Sequence, residues 1–509
     1  MTADLPDLRL ETPNLHLEQE SFQMVMHQNL ARAPWLVVSL VLHAVALLIA
    51  LMISTPQRID KEEVCVVLQQ PEEELDIPDE IEEPVEPPVE PEIPEPIFEE
   101  VTEPIEDTQN MDAVVGEDSD YPDDSEIVSA FDNNSVDPTL GLGGGSAGQG
   151  ADNGKYSKRG RGGPNRPEIR AALEWLAKHQ DDNGRWDSAN FMKHDVNGKS
   201  CTGAGSPLHD VGVTGLALLA FLGEGSTLRS GEYRHVLRLG VQWLRSQQEN
   251  NGRFGTAATN AYIYDHCIAT LAMCEAMGLS KYRILRPRVQ RAINYLESHR
   301  NPYGTWRYQP RSGDNDTSVT GWALMALKSA KDFDLQVNGN AFKAIDRYFD
   351  EMTDPATGRC GYNKRGSLSS RERGDHADRF PPSLGETLTA VGLFSRCFLG
   401  HSPKRDKVMN TAANTILCKP PSRAQAGAVD HYYWYYATYA LYQMGGKAWQ
   451  QWSKSLTPAV VKTQRRDGNF KGSWDPDGAW GQTGGRVYST AILALTLQAY
   501  HRYARVLVR

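Results

Sequence analysis

Residues 180–186 read QDDNGRW, and this phrase of a polar residue, three spacers, glycine, one spacer and usually an aromatic residue recurs four times. The later copies are Gln248-x3-Gly252-x-Phe254, Arg300-x3-Gly304-x-Trp306, Asp354-x3-Gly358-x-Cys360 and Gln464-x3-Gly468-x-Phe470. Successive copies are 68, 52, 54 and 110 residues apart, and the last distance spans two periods with a degenerate copy between them. A period near 55 residues indicates an array of one supersecondary unit.

Two kinds of helix are predicted to alternate around the phrase. Amphipathic segments precede it, with apolar residues at steps of three and four, and nearly uniformly apolar segments such as VGVTGLALLAFLG and CIATLAMCEAMG follow it. The clearest amphipathic segments are 167–180, 232–248, 284–300 and 340–352, and two more start near Ser402 and Lys447. Six amphipathic helices around six apolar ones predict an all-α fold, an (α/α)6 toroid.

The glycine of the phrase is predicted to be structural. Glycine at the end of a helix supplies the positive φ of a tight turn, and Asn183-Gly184 and Asn251-Gly252 are turn dipeptides in themselves. The aromatic residue packs back across the helix end, and the polar residue binds loop backbone. We therefore expect no catalytic role for the phrase.

An apolar run near the N-terminus predicts a membrane anchor. Residues 36–53, LVVSLVLHAVALLIALMI, reach the minimum length of a transmembrane helix, and Trp35 precedes them at the interface position. The run is too long and starts too late for a cleaved signal peptide. We expect a transmembrane helix over 35–54 with residues 1–34 in the cytoplasm, although the flanking charges alone do not fix the orientation.

A long acidic linker is predicted between the anchor and the toroid, over residues 55–165. Residues 62–154 contain 29 Asp or Glu and no Lys or Arg, and they run from Pro-Glu repeats into a Gly-rich stretch. Such a composition self-repels and favours extended, disordered chain. The remaining region, 166–509, is predicted to be the toroid.

The charge is divided between these parts. The whole chain is at −12, whereas residues 155–509 alone are at +19. The basic region can dock on the acidic linker, on anionic lipid or on an anionic ligand, or the linker can be a plain spacer. No nucleic-acid-binding motif is present, so no nucleic-acid partner is expected. The seven cysteines show neither metal spacing nor a disulfide framework.

The repeated phrase with its apolar helices resembles that of the squalene-hopene cyclase and protein prenyltransferase superfamily, over about 165–509. The likeness is nearest to bacterial prenyltransferase/squalene-oxidase-repeat proteins. It implies the (α/α)6 toroid and, for an enzyme, an isoprenoid substrate.

Two sequence elements bear on the reactions of that superfamily. Protonating cyclases carry Asp-x-Asp-Asp-Thr, and the matching stretch here is Gly313-Asp314-Asn315-Asp316-Thr317. Anchoring on Asp316-Thr317 places Asn315 at the acid position, and Asp314 takes that position only in a shifted register.

Prenyltransferases bind zinc through Asp, Cys and His. His431 falls at the histidine position, while Ser383 and Gly385 stand at the other two. One ligand of three does not make a zinc site.

The anchor has a second resemblance, to TonB-type energy transducers. Ser39-x3-His43 lies in a single apolar helix, and Pro-Glu repeats follow it. The resemblance implies that Ser39 and His43 face proton-driven motor subunits in a bacterial inner membrane, with the toroid in the periplasm. Otherwise the two residues are a packing detail of the helix.

Polar residues are predicted to gather where the apolar helices start. Asp210, His266 and Asp316 each stand four residues before a recurrent threonine, Asp265 adjoins this set, and His431 begins the fifth apolar helix. Equivalent helix starts lie on one rim of a toroid, so these groups can form a divalent-metal site or an acid–base pair. Helix capping explains the aspartates equally well.

An aromatic run follows His431 and offers a candidate binding wall. Its members are Tyr432, Tyr433, Trp434 and Tyr436. They either line a cavity for an isoprenoid-like tail or pack in the core.

The sequence therefore predicts a single-pass membrane protein whose toroid is a binding or scaffold module for an apolar or anionic ligand. The resemblance of the anchor implies coupling to a TonB-type motor. The alternative is an enzyme, a terpenoid cyclase or prenyl transferase. Its candidate groups are Asp314, Asp316, His266 and His431.

Overall fold

The computed structural model describes Ser39, residues 42–45 and residues 165–502 except Tyr303 and Arg373. Within these residues the secondary structure is helical, with two isolated β-bridges and no β-strand. In chain order the α-helices are α1 (Arg166–Lys178), α2 (Asp210–Gly223), α3 (Arg234–Ser246), α4 (Tyr262–Leu279), α5 (Arg286–His299), α6 (Thr317–Asp332), α7 (Gly339–Met352), α8 (His376–Arg379), α9 (Thr387–Phe398), α10 (Val408–Leu417), α11 (His431–Met444), α12 (Gly446–Val460), α13 (Gly481–Leu497) and α14 (Ala499–Arg502).

Six helices form a closed inner ring. Helix α2 packs on α4, α4 on α6, α6 on α9, α9 on α11 and α11 on α13, and α13 returns to α2. The outer helices α3, α5, α7, α10 and α12 each pack on the inner helix that precedes them, and α1 packs on α13. The first and last repeats therefore join, and the predicted (α/α)6 arrangement is confirmed for this part of the chain.

The two rings differ in burial as the sequence pattern predicts. Outer helix α3 buries one stripe, which includes Leu237, Val241 and Leu244 at three- and four-residue steps. Inner helix α4 is buried almost from end to end, Glu275 included. An inner helix is enclosed by its two ring neighbours and by an outer helix, so every face must be apolar or paired.

The repeated phrase ties neighbouring repeats together. The side-chain amide of Gln180 donates to the carbonyl oxygen of Gly184 and to that of Val236 on α3, both at 3.0 Å. The indole N–H of Trp186 donates to the Leu176 carbonyl oxygen at 2.8 Å, and its backbone N–H donates to the Thr214 hydroxyl at 3.1 Å. Thr320 accepts the equivalent bond from the Trp306 N–H at 3.5 Å, whereas in the second copy the Phe254 N–H donates to His266 Nδ1.

The prediction for the fifth copy was wrong. The amide of Gln464 donates to Gly472 rather than to Gly468, at 2.8 Å. The aromatic residue equivalent to Trp186 is Trp474, whose N–H donates to Thr490 Oγ1, and not Phe470. Four extra residues in the turn displace the glycine and the aromatic residue, while an unrelated Gly-x-Phe mimics the spacing.

The N-terminal predictions fall largely outside the described residues. These include most of the predicted transmembrane segment 35–54 and of the predicted acidic linker before residue 165. Of the described residues, 42–45 are helical, and the His43 ring nitrogen Nδ1 lies 2.8 Å from the Ser39 carbonyl oxygen. No helix among the described residues is both long and apolar enough to cross a bilayer.

Candidate functional site

A cavity of about 400 Å³ lies at the centre of the inner ring. All six inner helices contribute to its wall, each with residues from its N-terminal half, and the loops before them complete it. The helix residues are Gly212, Val213 and Leu216 of α2, Tyr264, Asp265 and Ile268 of α4, Ser318 and Trp322 of α6, Thr387 and Leu388 of α9, Tyr432 of α11, and Thr483, Gly484 and Tyr488 of α13.

The wall of the cavity is mainly apolar and aromatic. The wall combines aliphatic side chains from α2, α4 and α9 with the rings of Trp322 and of several tyrosines. Trp322 is fixed by Tyr435 behind it, with stacked rings 6.0 Å apart, and by the edge of Tyr436. Such rigid aromatic surfaces suit an apolar ligand. Because neighbouring rings already fix these side chains, covering them with a ligand costs little additional conformational entropy.

Tyrosine hydroxyls give the wall a few fixed polar points. Tyr308 and Tyr362 are hydrogen bonded at 2.7 Å, and Tyr432 is hydrogen bonded to Ser318 at 3.0 Å. Burial raises the pKa of Tyr362 and of Tyr432, so both hydroxyls stay protonated at neutral pH.

Two further polar atoms in the wall lack a partner. Trp480 Nε1 and the Tyr488 hydroxyl are buried and have no hydrogen-bond partner among the described residues, yet both residues line the cavity. A buried donor without a partner costs about 1–3 kcal/mol. Neither atom exposes surface to the cavity, so a ligand would reach them only after a side-chain movement.

Charged pairs stand beside the apolar wall. His209 Nδ1 lies 3.1 Å from Asp265 Oδ2, and the hydrogen bond to Asp265, opposed by burial, raises the pKa of His209. Burial also raises the pKa of Asp265, because its carboxylate is shielded from water and the hydrogen bond to His209 only partly offsets this effect. Arg371 donates to Asp430 at 3.1 Å. These groups can hold the polar end of a ligand.

The structure separates the four predicted metal ligands. Asp210 Oδ1 accepts the backbone N–H and the hydroxyl of Ser188, at 2.9 and 2.6 Å, and its Oδ2 accepts from Arg185. His266 Nδ1 accepts from the Phe254 N–H at 3.1 Å, its Nε2 lies 3.2 Å from the Ala292 carbonyl oxygen, and burial lowers its pKa to about 3.

Both residues therefore tie loops to helices, and neither lines the cavity. His431 is also outside the cavity wall, with its Nε2 3.5 Å from Asp477. Of the predicted ligands, Asp265 alone reaches the cavity, where it is paired with His209.

The two candidate acids have different surroundings. Asp314 is exposed and forms an ion pair with Arg307. Asp316 is fully buried and caps α6, because its Oδ1 accepts the Val319 N–H at 2.9 Å. Its Oδ2 has no hydrogen-bond partner among the described residues. Burial raises the pKa of Asp316, although the Tyr362 hydroxyl lies near enough to oppose the shift.

The predicted aromatic wall is divided between cavity and core. Tyr432 lines the cavity. The Tyr433 hydroxyl donates to the carbonyl oxygens of Ile416 and Lys419, at 3.1 and 2.8 Å. It therefore holds the turn after α10, where the degenerate copy of the phrase has no tryptophan to make such a bond. Trp434 and Tyr436 are fully buried and do not reach the cavity.

Sequence reasoning missed the loop contribution to the cavity. Tyr308 lies in the loop between α5 and α6, after the third copy of the phrase. The connection between α7 and α9, residues 353–386, contributes Tyr362, Arg371 and Glu372. Loops have no periodic pattern, so nothing in the spacing of these residues marks them. The length of the connection is the available signal, since long loops in compact folds are often functional.

Part of the toroid matches a known family. Residues 205–348 match the model of the squalene-hopene cyclase C-terminal domain. Squalene–hopene cyclase of Bradyrhizobium diazoefficiens is 28% identical over 183 residues, which are 33% of this chain and 26% of that protein. The chain thus spans about a quarter of the length of this relative. Both matches support a likeness to squalene-hopene cyclases within the repeat region.

Similar solved structures come from several enzymes. Cellobiose 2-epimerase from Bacillus thermoamylovorans has 13% identity and a TM-score of 0.45, and 65% of this chain covers 97% of that chain. A type II terpene cyclase from Scytonema in complex with merosterolic acid A has 13% identity and a TM-score of 0.42. The match covers 66% of this chain and 96% of that chain.

Proposed function

We propose that the toroid binds a largely apolar ligand of isoprenoid type in its central cavity. One observation carries the proposal: the N-terminal halves of all six inner helices enclose an aromatic and aliphatic space, not a filled core. Its volume of about 400 Å³ is in the range of small-molecule sites. The similarity of residues 205–348 to a squalene-hopene cyclase domain favours an isoprenoid among apolar ligands.

The polar groups of the wall indicate an amphipathic ligand. An apolar body would contact Val213, Ile268 and Trp322. A hydroxyl or carbonyl group would bind at the charged pair of His209 and Asp265. A free alcohol such as geranylgeraniol combines both properties and is a suitable probe.

Binding is favoured over catalysis by the residues at the two diagnostic positions. Asn315 stands at the acid position of the cyclase element, and its Oδ1 accepts the Thr305 N–H at 2.7 Å. An amide cannot protonate an alkene. Ser383 and Gly385 stand where a prenyltransferase has its zinc-binding Asp and Cys.

Membrane attachment and coupling extend this proposal. A transmembrane helix over 35–54 and the acidic linker would hold the toroid near a bacterial inner membrane, on the periplasmic side, within reach of lipid ligands. Ser39 and His43 are one helical turn apart, with Nδ1 of His43 2.8 Å from the Ser39 carbonyl oxygen. That spacing puts both on one helix face, which motor subunits of the TonB type would contact.

Reducing the volume of the cavity should weaken ligand binding. Val213→Phe places a larger side chain in the wall, and we expect the affinity for geranylgeraniol to fall at least about tenfold, or 1.4 kcal/mol. The measurement is the quenching of tryptophan fluorescence when the full-length chain is titrated with geranylgeraniol, since Trp322 and Trp480 line the cavity.

The matched control is Val196→Phe, because Val196 is 76% exposed and does not line the cavity. It should bind as the parent chain does. Melting temperatures of both variants show whether extra volume has disturbed the core. Unchanged affinity in a folded Val213→Phe variant would place the ligand elsewhere.

A second candidate function, acid catalysis on an isoprenoid, is supported by the state of Asp316. Its carboxyl is fully buried, one oxygen accepts no hydrogen bond among the described residues, and burial raises its pKa. The neighbouring Tyr362 hydroxyl lines the cavity. A buried carboxyl with a raised pKa, next to a tyrosine in the cavity wall, has the chemistry of a general acid that could donate a proton to an alkene.

This candidate predicts turnover that depends on Asp316. Asp316→Asn keeps a side chain that can cap α6 but removes the acid, so we expect a loss of about 100-fold or more in the rate of product formation from squalene. Products would be identified by gas chromatography and mass spectrometry. Absence of product with the parent chain, or equal rates in both chains, would exclude this role for Asp316.

A further inference from the structure

Three metal-ligating side chains meet away from the central cavity. His179 follows α1, while Asp195 and Cys201 lie in the connection between α1 and α2. One ligand atom from each lies within 4.8 Å of the other two, and no other group of this kind occurs among the described residues. His179 and Cys201 are buried, with exposed fractions of 3% and 4%. None of the three lines the cavity.

The histidine is oriented as a metal ligand is. His179 Nδ1 lies 2.7 Å from the Trp175 carbonyl oxygen, and the two rings stack with centroids 4.0 Å apart. If Nδ1 carries the proton and donates to that carbonyl, Nε2 presents a lone pair to Asp195 Oδ1 at 3.1 Å. Lone pairs facing each other repel, and a cation between them removes the conflict. Histidine ligands of metals typically donate their second ring N–H to a backbone carbonyl in this way.

The carboxylate is oriented as well. Asp195 Oδ2 accepts the Cys201 N–H at 2.6 Å and the Ser200 hydroxyl at 2.8 Å. These bonds leave Oδ1 directed at His179 and hold the Cys201 backbone against the carboxylate. The three donors are thus fixed by bonds to their own non-ligating atoms, which is the support that metal sites need.

We propose that His179 Nε2, an Asp195 carboxylate oxygen and Cys201 Sγ bind a zinc ion. Imidazole, carboxylate and thiolate are the three zinc ligands found in proteins, and mixed nitrogen, oxygen and sulfur sets suit this borderline-soft ion better than Mg²⁺ or Ca²⁺. The fourth tetrahedral position is left to water or an added ligand.

The position of the site gives it a structural role. The same connection is bonded to the last turn of the toroid, because the Asn469 amide donates to the carbonyl oxygens of Val196 and Lys199 at 2.9 and 3.1 Å. The indole of Trp175 donates to the Asn469 carbonyl oxygen at 2.8 Å. The zinc ion would therefore lock the seam at which the first and last repeats close the ring.

The test is a zinc titration of the full-length chain, purified without a histidine tag and stripped with a chelator. We expect one zinc per chain by elemental analysis, a rise in melting temperature on loading, and a thiolate-to-cobalt charge-transfer band when Co²⁺ replaces zinc. Cys201→Ser should lose the cobalt band and bind zinc at least about 100-fold more weakly. Cys418→Ser, outside the cluster, should match the parent chain.

The competing interpretation is a protonated imidazole paired with Asp195 and no metal. Less than 0.1 zinc per chain after loading at a zinc concentration of about ten times that of protein, or a cobalt spectrum without the thiolate band, would overturn the proposal. The parent-chain measurements decide this even where a variant fails to fold. Zinc binding that Cys201→Ser leaves unchanged would also overturn it.

Discussion

Replacing Arg502 with methionine is expected to destabilise the toroid by about 3–5 kcal/mol. Arg502 donates to Glu275 Oε2 at 2.6 Å and to the Leu219 carbonyl oxygen at 2.7 Å. Both side chains of the ion pair are 3% exposed, so it joins α14 to the interior of α4 without solvent. Methionine fills part of the volume but leaves a buried carboxylate without its cation. Urea unfolding followed by tryptophan fluorescence measures the loss.

The deficit should depend on pH with a definite sign. Burial raises the pKa of Glu275, and the Arg502 charge opposes this shift. Without Arg502 the folded-state pKa rises further above the unfolded value. A raised carboxyl pKa contributes stability that is present below the unfolded pKa and lost as pH rises through the folded pKa. The variant should therefore approach the parent chain in stability as the pH falls toward 4.

Two controls separate charge from packing. Arg170→Met disrupts an exposed ion pair with Glu174 and should cause no measurable change. Adding Glu275→Met to Arg502→Met removes the orphaned carboxylate and should recover part of the lost stability. A deficit that is equal at pH 4 and pH 7, and that the double variant does not reduce, would mean that lost contacts of the arginine cause it.

The two rings of helices could be predicted from the sequence, because the spacing of apolar residues indicates which faces of each helix are buried. Uniformly apolar segments became the inner helices, and striped segments became the outer ones, with bounds within about two residues of those predicted for 167–180 and 340–352. The fifth copy of the phrase failed because spacing is only a proxy for the turn. Gln464 reaches across four extra residues to Gly472, and hydrogen bonds rather than spacing define the equivalence.

The cavity could be predicted only in part. Helix starts were expected on one rim, and residues from all six inner helices do line one cavity. Which polar residue faces inward depends on rotation about each helix axis. Asp265 points to the cavity while its neighbour His266 is held by Phe254 and Ala292. Successive residues of an α-helix point about 100° apart around its axis. Aligning the inner helices on their recurrent threonine does not show which of two adjacent residues faces the cavity.

Gly252→Ala is expected to destabilise the toroid by about 2–5 kcal/mol, because a methyl group at this turn has no room. Gly252 has a φ of +95°, and a Cβ there would lie 2.2 Å from the carbonyl oxygen of Arg291 on α5. The left-handed backbone costs an L-residue about 1–2 kcal/mol. The clash adds the cost of moving α5, about 1–3 kcal/mol for an overpacked contact. Thermal and urea unfolding both measure this loss.

The same substitution at Gly468 separates the two contributions. Gly468 has a φ of +45° and no atom within 4 Å of the position of a Cβ, so Gly468→Ala bears the backbone cost alone. It should cost about 1–2 kcal/mol, and Gly252→Ala should exceed it. Because Gln248 also donates to Arg288 on α5, movement of α5 in Gly252→Ala would stretch that bond at 2.9 Å. Equal losses of stability in Gly252→Ala and Gly468→Ala would mean that the turn relaxes away from α5. The glycine of the phrase would then determine the backbone conformation of the turn, but not the distance between neighbouring repeats.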